Sequence, residues 1–371
     1  MSISSDVTII IPVHNRILFL PQILEYYRYF KDRIKPRIIV ADSSSPENLN
    51  QNGDVIKKFN DVNVAHIPIQ GTNRTLFHKI AEALDSVETE FCVCCADDDF
   101  ITASGLEKAV EFLKNNKDFV AAHGNYISFY TKSSFSNNHE EFYWQPIYSD
   151  HSIKANLPSE RLTDQFLNYK QTLYAVHRTG VLKNIYREIM ANLDTEVKVL
   201  LFSELLSAML VSIAGKIKDL DVFYSARREH ATYQGQHIKW PLIRDYAKDG
   251  RLEGESVEFK ECIVMSLLEA QPGLSQREAG IIVNEGFNAS LKIGLPPDRF
   301  RHLVLNTSNF LKDKNAPPWT YNMLKKIYRT FVPVKRGGKA GDFSGTDLAQ
   351  YNDDLQTLKD VVLNHTRRQK Q

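Results

Sequence analysis

Three consecutive aspartates, Asp97, Asp98 and Asp99, follow an apolar segment at residues 91–96. A short apolar run of this kind is typical of a strand buried on both faces, which would place the carboxylates at the strand end. Neighbouring carboxylates repel one another, so a divalent cation bound by their oxygens and by phosphate oxygens of a ligand would stabilise them. The alternative is a solvated acidic turn in which Asp99 caps a following helix. The run therefore predicts either a Mn²⁺ or Mg²⁺ site or a simple turn.

A fourth aspartate, Asp42, ends another apolar segment at residues 37–41. The carboxyl ends of parallel strands lie along one edge of a sheet, where ligands of such sheets bind. Asp42 would then stand on the same edge as the acidic run and could accept hydrogen bonds from a nucleoside base or ribose. The alternative is an Asx turn with Ser44. Two acidic strand ends on one edge favour a bound nucleotide.

The elements that position these carboxylates alternate regularly over the first 125 residues. We predict strands at residues 7–11, 37–41, 62–67, 91–96 and 119–122, with helices at 17–30, 54–59, 74–84 and 103–115. This order predicts an α/β fold with an open, mostly parallel sheet and helices on both faces.

The remainder of the chain is less regular. Residues 125–164 are aromatic and polar and form either an irregular substrate-facing segment or a β-hairpin. Further elements are predicted as strands at 172–177 and 222–228, and as helices at 202–216, 258–268, 278–291 and 353–364, with a glycine-rich break at 337–341. We therefore expect a domain at 1–238, with halves 1–124 and 125–238, followed by a mainly helical region at 239–371.

The composition limits the class of protein. The 371 residues are 43% hydrophobic and 25% charged with a formal net charge of +1, values of a soluble globular protein without the basic balance of a nucleic-acid binder. The four cysteines lack zinc-site spacing and are interpreted as small buried hydrophobes in a reducing compartment. The first residues lack the basic cluster of a signal peptide, and no apolar run reaches the ~18 residues that span a bilayer. We expect a cytoplasmic protein with no transmembrane segment.

Three segments carry a resemblance to a known family: residues 7–16 (VTIIIPVHNR), 38–45 (IIVADSSS) and 91–99 (FCVCCADDD). They resemble the nucleotide-binding half of family 2 glycosyltransferases with the GT-A fold, and the likeness extends over roughly the first 230 residues. In that family the first strand ends in a Pro-x-Tyr-Asn-Arg-like turn and the second in an aspartate that reads the base. The fourth strand carries an Asp-x-Asp motif for the metal and the nucleotide diphosphate.

The resemblance assigns roles to residues of this chain. It implies a nucleotide-binding set of Pro12, His14, Asn15, Arg16, Asp42, Arg74, Asp97 and Asp98. Asp42 would read the base, Pro12 to Asn15 would form the pocket wall, and His14 would replace an aromatic residue. The Asp-x-Asp pair is Asp97 with Asp99, or Asp98 supplies the ligand if the register shifts by one. The chain departs from the family where Ser43 and Ser44 replace an acidic-glycine pair, and in the helix at Arg74.

The acceptor side of the resemblance lies further along the chain. In the family, a helix begins with an acidic pair whose second member is the catalytic base; here Ser203 replaces the first member and Glu204 would be the base. The alternative is a glutamate that the helix dipole favours at the N-terminus. His230 stands where a further metal ligand or diphosphate contact is expected, the alternative being a surface histidine. Arg227 or Arg228 could neutralise a diphosphate.

The resemblance implies an inverting, metal-dependent transfer of sugar from a nucleotide-sugar donor, a UDP-sugar in the first place, to an acceptor hydroxyl. The acceptor would be a glycan, a lipid-linked carrier or a protein, as in polysaccharide or glycoconjugate assembly. Alternatives are a retaining transferase, a nucleotidyltransferase and a non-catalytic sugar-nucleotide-binding protein. The basic amphipathic stretch at 325–339 would make a peripheral contact with the inner face of the membrane, or is a solvated face. Helices at 240–320 could support a homo-oligomer.

Overall fold

The computed structural model describes residues 6–71, 75–133, 140–147, 151–192, 200–229, 253–293 and 349–369. The strands in this part are β1 (Val7–Val13), β2 (Arg37–Asp42), β3 (Val64–Pro68), β4 (Phe91–Cys94), β5 (Phe100–Ile101), β6 (Phe119–Ser133), β7 (Glu140–Ile147), β8 (Val176–Arg178) and β9 (Lys216–Arg228). The α-helices are α1 (Leu20–Tyr29), α2 (Pro46–Lys57), α3 (Leu76–Asp85), α4 (Ala103–Asn115), α5 (Pro158–Leu167), α6 (Thr179–Asn192), α7 (Leu200–Ala214), α8 (Glu253–Ala270), α9 (Gln276–Ile293) and α10 (Asn352–Gln369).

The strands form one mixed sheet in the order β3-β2-β1-β4-β8-β6-β9-β5, with β7 paired to β6. The strands from β3 to β4 are parallel, as are β6 and β9, whereas β8 is antiparallel to both of its neighbours. The predicted α/β fold with helices flanking a sheet is confirmed. The parallel half places the carboxyl ends of β2, β1 and β4 side by side.

Each face of the sheet is covered by helices, because the side chains of a strand alternate between its faces. Ile9 and Ile11 of β1 lie in a core with residues of α1, α4 and α10, whereas Ile10 lies in a second core with residues of α3, α6, α7, α8 and α9. Both cores include residues from the C-terminal helices. The run of apolar residues in β1 is therefore required by burial on both sides.

Two predicted boundaries differ from the structure. Helix α2 begins at Pro46, not at residue 54, because Ser45 accepts a hydrogen bond from the Asn48 amide and Pro46 takes the first helical position. Strand β1 continues through Pro12, which the sequence placed at its end. Since β4 pairs with β1 only as far as Ile10, the missing amide hydrogen of Pro12 costs no ladder bond on that side.

The aromatic segment after residue 125 forms a β-hairpin, which was one of the two predicted alternatives. Strand β6 runs to Ser133 and pairs antiparallel with β7, where Phe129 lies opposite Trp144 and Tyr130 opposite Tyr143. Phe129 is fully buried, whereas Tyr130 is exposed, so the hairpin has one core-facing side. Its alternating pattern was too mixed with polar residues to predict its length.

The C-terminal helix α10 packs against α1 and β7. Asp354 is buried, and its Oδ1 accepts hydrogen bonds from the Ala103 amide at 2.9 Å, from the Ser104 amide at 3.3 Å and from the Tyr26 hydroxyl at 3.1 Å. This carboxylate satisfies amides at the start of α4, immediately after the acidic run.

Several predictions fall outside the described residues: the domain boundary at 238, the glycine-rich break at 337–341 and the basic stretch at 325–339. Within the part of the chain that the structure describes, no helix is long and apolar enough to cross a membrane.

Candidate active site

The predicted edge of the sheet forms as expected, with three loops meeting beyond β1, β2 and β4. The loop after β1 crosses to the loop after β2: His14 donates from Nδ1 to the Ser43 carbonyl at 2.9 Å, and the Asn15 amide donates to Ser44 Oγ at 2.8 Å. The side chains of His14 and Asn15 are both exposed. The serines that replace the family's acidic-glycine pair thus hold the first loop in place.

Asn15 turns this loop through the left-handed region, with φ of 54°. Asparagine adopts that conformation more readily than most residues. Its Oδ1 accepts hydrogen bonds from the Ser45 amide at 2.8 Å and from Asn48 Nδ2 at 3.1 Å, at the start of α2. The turn directs Arg16 toward the end of β4.

Arg16 pairs with two of the three aspartates. Its guanidinium lies 2.9 Å from Asp97 Oδ1 and 2.5 Å from Asp98 Oδ2, and it also stacks over Phe19 at 4.5 Å from the ring centroid. The Asp97 side chain is only 2% exposed. Burial raises the pKa of Asp97 to about 7, although the charge of Arg16 opposes the rise. Asp97 Oδ2 is buried without a hydrogen-bond partner in the described structure.

Asp99 lies on the other side of the run and contacts β9. Its Oδ1 accepts a hydrogen bond from the Arg228 amide at 2.8 Å. Burial, together with the neighbouring charge of Asp98, raises the pKa of Asp99 to about 6, while the Arg228 amide and the Tyr174 hydroxyl oppose the rise. The alternative in which Asp99 caps α4 is wrong, because Thr102 caps that helix by accepting from the Gly105 amide.

Asp42 is fully buried and both of its oxygens have protein partners. Oδ1 accepts from the Ser44 amide at 2.9 Å, and Oδ2 accepts from Asn52 Nδ2 at 2.8 Å and lies 3.1 Å from His66 Nε2. Burial alone raises the pKa of this carboxyl, but the hydrogen bonds from His66, Ser44 and Asn52 together lower it below its usual value. The Asx-turn contact with Ser44 that the sequence offered as an alternative is therefore present.

Lys79, on α3, is a buried cation that sequence reasoning missed. Only 7% of it is exposed, and its Nζ donates to the carbonyl of Val13 at 3.4 Å. Burial lowers the pKa of Lys79, and the charges of Asp97 and Asp42 partly offset that effect. A lysine between Phe77 and Ile80, on the apolar side of a helix, was the available signal.

Strand β9 contributes two arginines to this region, Arg227 and Arg228. Arg228 lies over the rings of Phe19 and Phe129, at 5.3 and 5.0 Å from their centroids, and donates to Gln22 Oε1 at 2.7 Å. Burial lowers the pKa of Arg228 to about 10, and the acidic run opposes the fall. Since even that pKa is far above neutrality, Arg228 is a buried positive charge beside the acidic run.

Glu204 lies in the first part of α7, where the sequence predicted a catalytic base. Its Oε1 accepts hydrogen bonds from Gln171 Nε2 at 2.8 Å and from the Tyr169 hydroxyl at 3.2 Å. Gln171 in turn accepts a hydrogen bond from Arg227. Neither Tyr169 nor Gln171 was singled out from the sequence, because their role depends on a contact with a residue more than thirty positions away.

A cleft of about 280 Å³ lies next to the residues that contact Glu204 and Asp99. It is lined by His123, Gly124, Tyr126, Ile147, Tyr169, Lys170, Gln171, Tyr174, Tyr224, Ser225 and Arg227. Its lining therefore includes both side chains that bind Glu204 and the tyrosine that contacts Asp99. Glu204 and the acidic run do not line this cleft themselves, but each has a hydrogen-bond partner that does.

The donor set fits a divalent cation only in part. Carboxylate oxygens suit Mn²⁺ or Mg²⁺, and the unpartnered Asp97 Oδ2 is a candidate ligand atom. Over the described residues, however, no three side chains of His, Cys, Asp or Glu converge as a ready metal centre. A cation would need further ligands, such as diphosphate oxygens. The predicted ligand His230 and the predicted phosphate contact Arg74 lie outside the described residues.

In the parallel half of the sheet, a turn follows β1, Asp42 ends β2 and the acidic run follows β4. Polar groups at adjacent strand ends of this kind are typical of nucleotide-binding α/β proteins. Residues 8–190 match the model of Glycosyl transferase family 2, and this part of the chain belongs to that family. The predicted membership is confirmed for this part of the chain. No curated protein sequence matches the chain.

Solved structures show weak overall likeness. S. aureus TarS 1-349 in complex with UDP-GlcNAc is 17% identical, with 98% of this chain and 92% of that chain covered and a TM-score of 0.49. The mannosyltransferase PcManGT from Pyrobaculum calidifontis, in complex with GDP-Man and Mn²⁺, is 14% identical, with coverages of 97% and 87% and a TM-score of 0.44. The chain spans 48% of a longer TarS structure, at 16% identity, 82% coverage of this chain and a TM-score of 0.46. Similarity at this level adds nothing beyond the fold described above.

Proposed function

We propose that the protein transfers a sugar from a nucleotide-sugar donor to an acceptor hydroxyl with inversion at the anomeric carbon. The observation that carries the proposal is one cleft whose lining side chains contact both groups: Tyr169 and Gln171 bind Glu204, and Tyr174 contacts Asp99. An inverting transfer needs a carboxylate on the acceptor side and positive charge on the leaving-group side. A UDP-sugar is the donor to test first.

On the donor side, the diphosphate would lie beyond β1 and β4. Arg16 and Arg228 supply positive charge there, and Asp97 with Asp98 or Asp99 would hold Mn²⁺ or Mg²⁺. When bound, the cation would stabilise negative charge on the departing diphosphate. His14 and Asn15 are exposed at the wall of this region. Asp42 would reach the base only by giving up a present partner, since both its oxygens are occupied.

On the acceptor side, Glu204 removes the proton of the attacking hydroxyl. The new bond joins the hydroxyl oxygen to the anomeric carbon, while the bond from that carbon to the diphosphate oxygen breaks and its electron pair leaves with the nucleoside diphosphate. Tyr169 and Gln171 donate to one oxygen of Glu204 and so orient the carboxylate. They act as positioning residues.

Glu204→Gln separates binding from transfer. We expect UDP and UDP-sugar to stabilise the variant against heat as they do the wild type, with and without Mn²⁺, while transfer falls by roughly 10²–10⁴-fold because the base is lost. Glu160→Gln, at an exposed glutamate in the first turn of α5, is the matched control and should transfer normally. Transfer by Glu204→Gln at the wild-type rate would remove Glu204 from the mechanism.

The product distinguishes the remaining candidates. An inverted anomeric configuration in the NMR spectrum of the product supports the proposal, and a retained one assigns the retaining mechanism. Release of pyrophosphate from a nucleoside triphosphate would indicate a nucleotidyltransferase. Donor binding without transfer to any acceptor of a broad panel would indicate a binding protein.

A further inference from the structure

The cleft lined by Tyr169 and Gln171, the partners of Glu204, has basic but no acidic side chains in its lining. Its lining includes two cations, Lys170 and Arg227, and no aspartate or glutamate. His123 also lines it, and burial lowers the pKa of this histidine, although the charge of Asp219 opposes the fall. The histidine is therefore neutral near pH 7, and the two cations set the charge of the walls.

Arg227 is held in a defined position. Its guanidinium lies 4.2 Å from the centroid of the Tyr126 ring and 4.9 Å from that of Tyr174, and it donates to Gln171. Its Nε is buried without a hydrogen-bond partner, and its positive charge lowers the pKa of the nearby Asp99. A cation placed between aromatic faces, with a donor atom not used within the described structure, can bind an anion.

Lys170 is positioned from behind the wall. Its Nζ lies 4.0 Å from Asp219 Oδ2, and the Asp219 side chain is 1% exposed. Asp219 also accepts from the His151 amide at 3.3 Å and lies 3.8 Å from His123 Nδ1. This buried carboxylate lies outside the cleft lining and holds the ammonium group of Lys170 in place.

The sequence order places Lys170 between the two residues that bind Glu204. Tyr169 and Gln171 donate to the Glu204 carboxylate, whereas the intervening lysine lines the cleft. An anionic group held by Lys170 and Arg227 would therefore lie beside Tyr169 and Gln171, the two side chains that bind the proposed base. A hydroxyl of the same molecule could then face Glu204.

We propose that this cleft is the acceptor subsite and that it selects acceptors carrying an anionic oxygen group, a phosphate or a carboxylate, which Lys170 and Arg227 bind. The inference rests on the proposed function, since it names the chemical class of the acceptor. Tyrosine rings supply the walls, and the two cations supply the specificity, as is usual in ligand pockets.

The test is a calorimetric titration with three probes that share a hexose ring: glucose 6-phosphate, glucuronate and glucose. Each is titrated into the full chain with and without UDP and Mn²⁺. We expect at least one anionic probe to bind about tenfold or more tightly than glucose, and its affinity to fall as NaCl is raised from about 50 to 500 mM. The stronger of the two anionic probes shows whether phosphate or carboxylate is preferred.

Variants connect the binding to the cleft. Lys170→Gln should weaken the preferred anionic probe by about tenfold, while Lys170→Arg keeps the charge and should retain most of the affinity. Lys108→Gln removes one positive charge from an exposed position on α4 and should leave the affinity unchanged. Circular dichroism and urea unfolding of each variant establish that it is folded.

Equal binding of glucose and both anionic probes, or unchanged anion binding in a folded Lys170→Gln variant, would overturn the inference. Its failure is distinguishable from that of the proposed function, because UDP binding and donor hydrolysis are measured on the same samples. If those activities are present and no anion preference is found, only the acceptor class is wrong. If UDP does not bind, the donor proposal fails, and the titrations without UDP still decide whether the cleft binds anions.

Discussion

Arg16→Gln tests what the acidic run requires. The guanidinium bridges Asp97 and Asp98, at 2.9 and 2.5 Å, and both carboxylates are at least nine-tenths buried while Arg16 is 30% exposed. Glutamine keeps much of the stem and removes the charge. The carboxylates would then have to lose their ionisation or find another cation.

The expected loss of unfolding free energy in Arg16→Gln follows from the burial and the charge of these side chains. Removing one partner of a buried ion pair costs about 3–5 kcal/mol. The partial exposure of Arg16 reduces that figure through solvent screening. Asp97, whose pKa is about 7, is also close to half protonated at neutral pH and can take up a proton instead of remaining an unpaired charge. We expect the free energy of unfolding to fall by about 2 kcal/mol at pH 8.

The pH dependence has a defined sign. The loss of Arg16 raises the pKa of Asp97 further above its unfolded value of 3.8. A folded state that binds more protons than the unfolded state loses stability as pH rises. The deficit of the variant relative to the wild type therefore grows as pH rises through 7 and is smaller at pH 6.

Urea unfolding followed by circular dichroism, in EDTA and then in Mn²⁺ with UDP, measures these effects. A ligand at 100 times its Kd adds about 2.7 kcal/mol, so Mn²⁺ bound together with UDP should offset most of the deficit. The variant should gain more than the wild type, because the cation no longer competes with Arg16. Arg33→Gln is the control: it breaks an exposed 2.6 Å pair with Glu107 and should cost about 0.5 kcal/mol, without a response to Mn²⁺.

Two results would refute this reasoning. A variant as stable as the wild type at pH 8 would mean that the carboxylates do not depend on Arg16. A deficit that responds neither to pH nor to Mn²⁺ would mean that the acidic run is not a cation site.

Three further predictions concern the scaffold. Asp42→Asn should lower the free energy of unfolding by about 2 kcal/mol at neutral pH, because hydrogen bonds to a buried carboxylate are weakened. This difference in stability between wild type and variant should vanish as pH falls through the lowered folded pKa of Asp42. Equal urea midpoints of the two proteins at pH 7 would contradict the prediction. Burial lowers the pKa of His177 from 6.5 to about 4, so the wild type should lose roughly 3 kcal/mol of stability relative to His177→Gln between pH 6.5 and 4, measured as the change in the difference between their urea unfolding free energies; a constant difference would contradict this. Gly105→Ala places a Cβ 2.5 Å from Tyr224 Cα and should lower the free energy of unfolding by about 2–3 kcal/mol. Gly280→Ala, on α9, has open space around the new Cβ and should raise that free energy by up to about 1 kcal/mol. A thermal melt in which both variants match the wild type would argue against this packing.

The elements of the first 125 residues were predictable because their signals are local. Helix α4 spans Ala103–Asn115, as predicted, since its apolar spacing is regular and Thr102 caps it. Helix α2 shows the opposite case. Asn52 is its only fully buried residue, so hydrophobic spacing marks it poorly, although Ser45, Pro46 and Glu47 carried the start signal.

By itself, the sequence determined the order of buried strands and the carboxylates at their ends, because apolar runs and turn residues act over a few positions. Only the tertiary structure decided which charges meet. Arg16 reaches Asp98 across 82 positions of chain, and Arg228 reaches Asp99 across 129. Such contacts depend on which strands are neighbours in the sheet, and the ionisation of each group depends on its burial there, so neither can be read from local spacing.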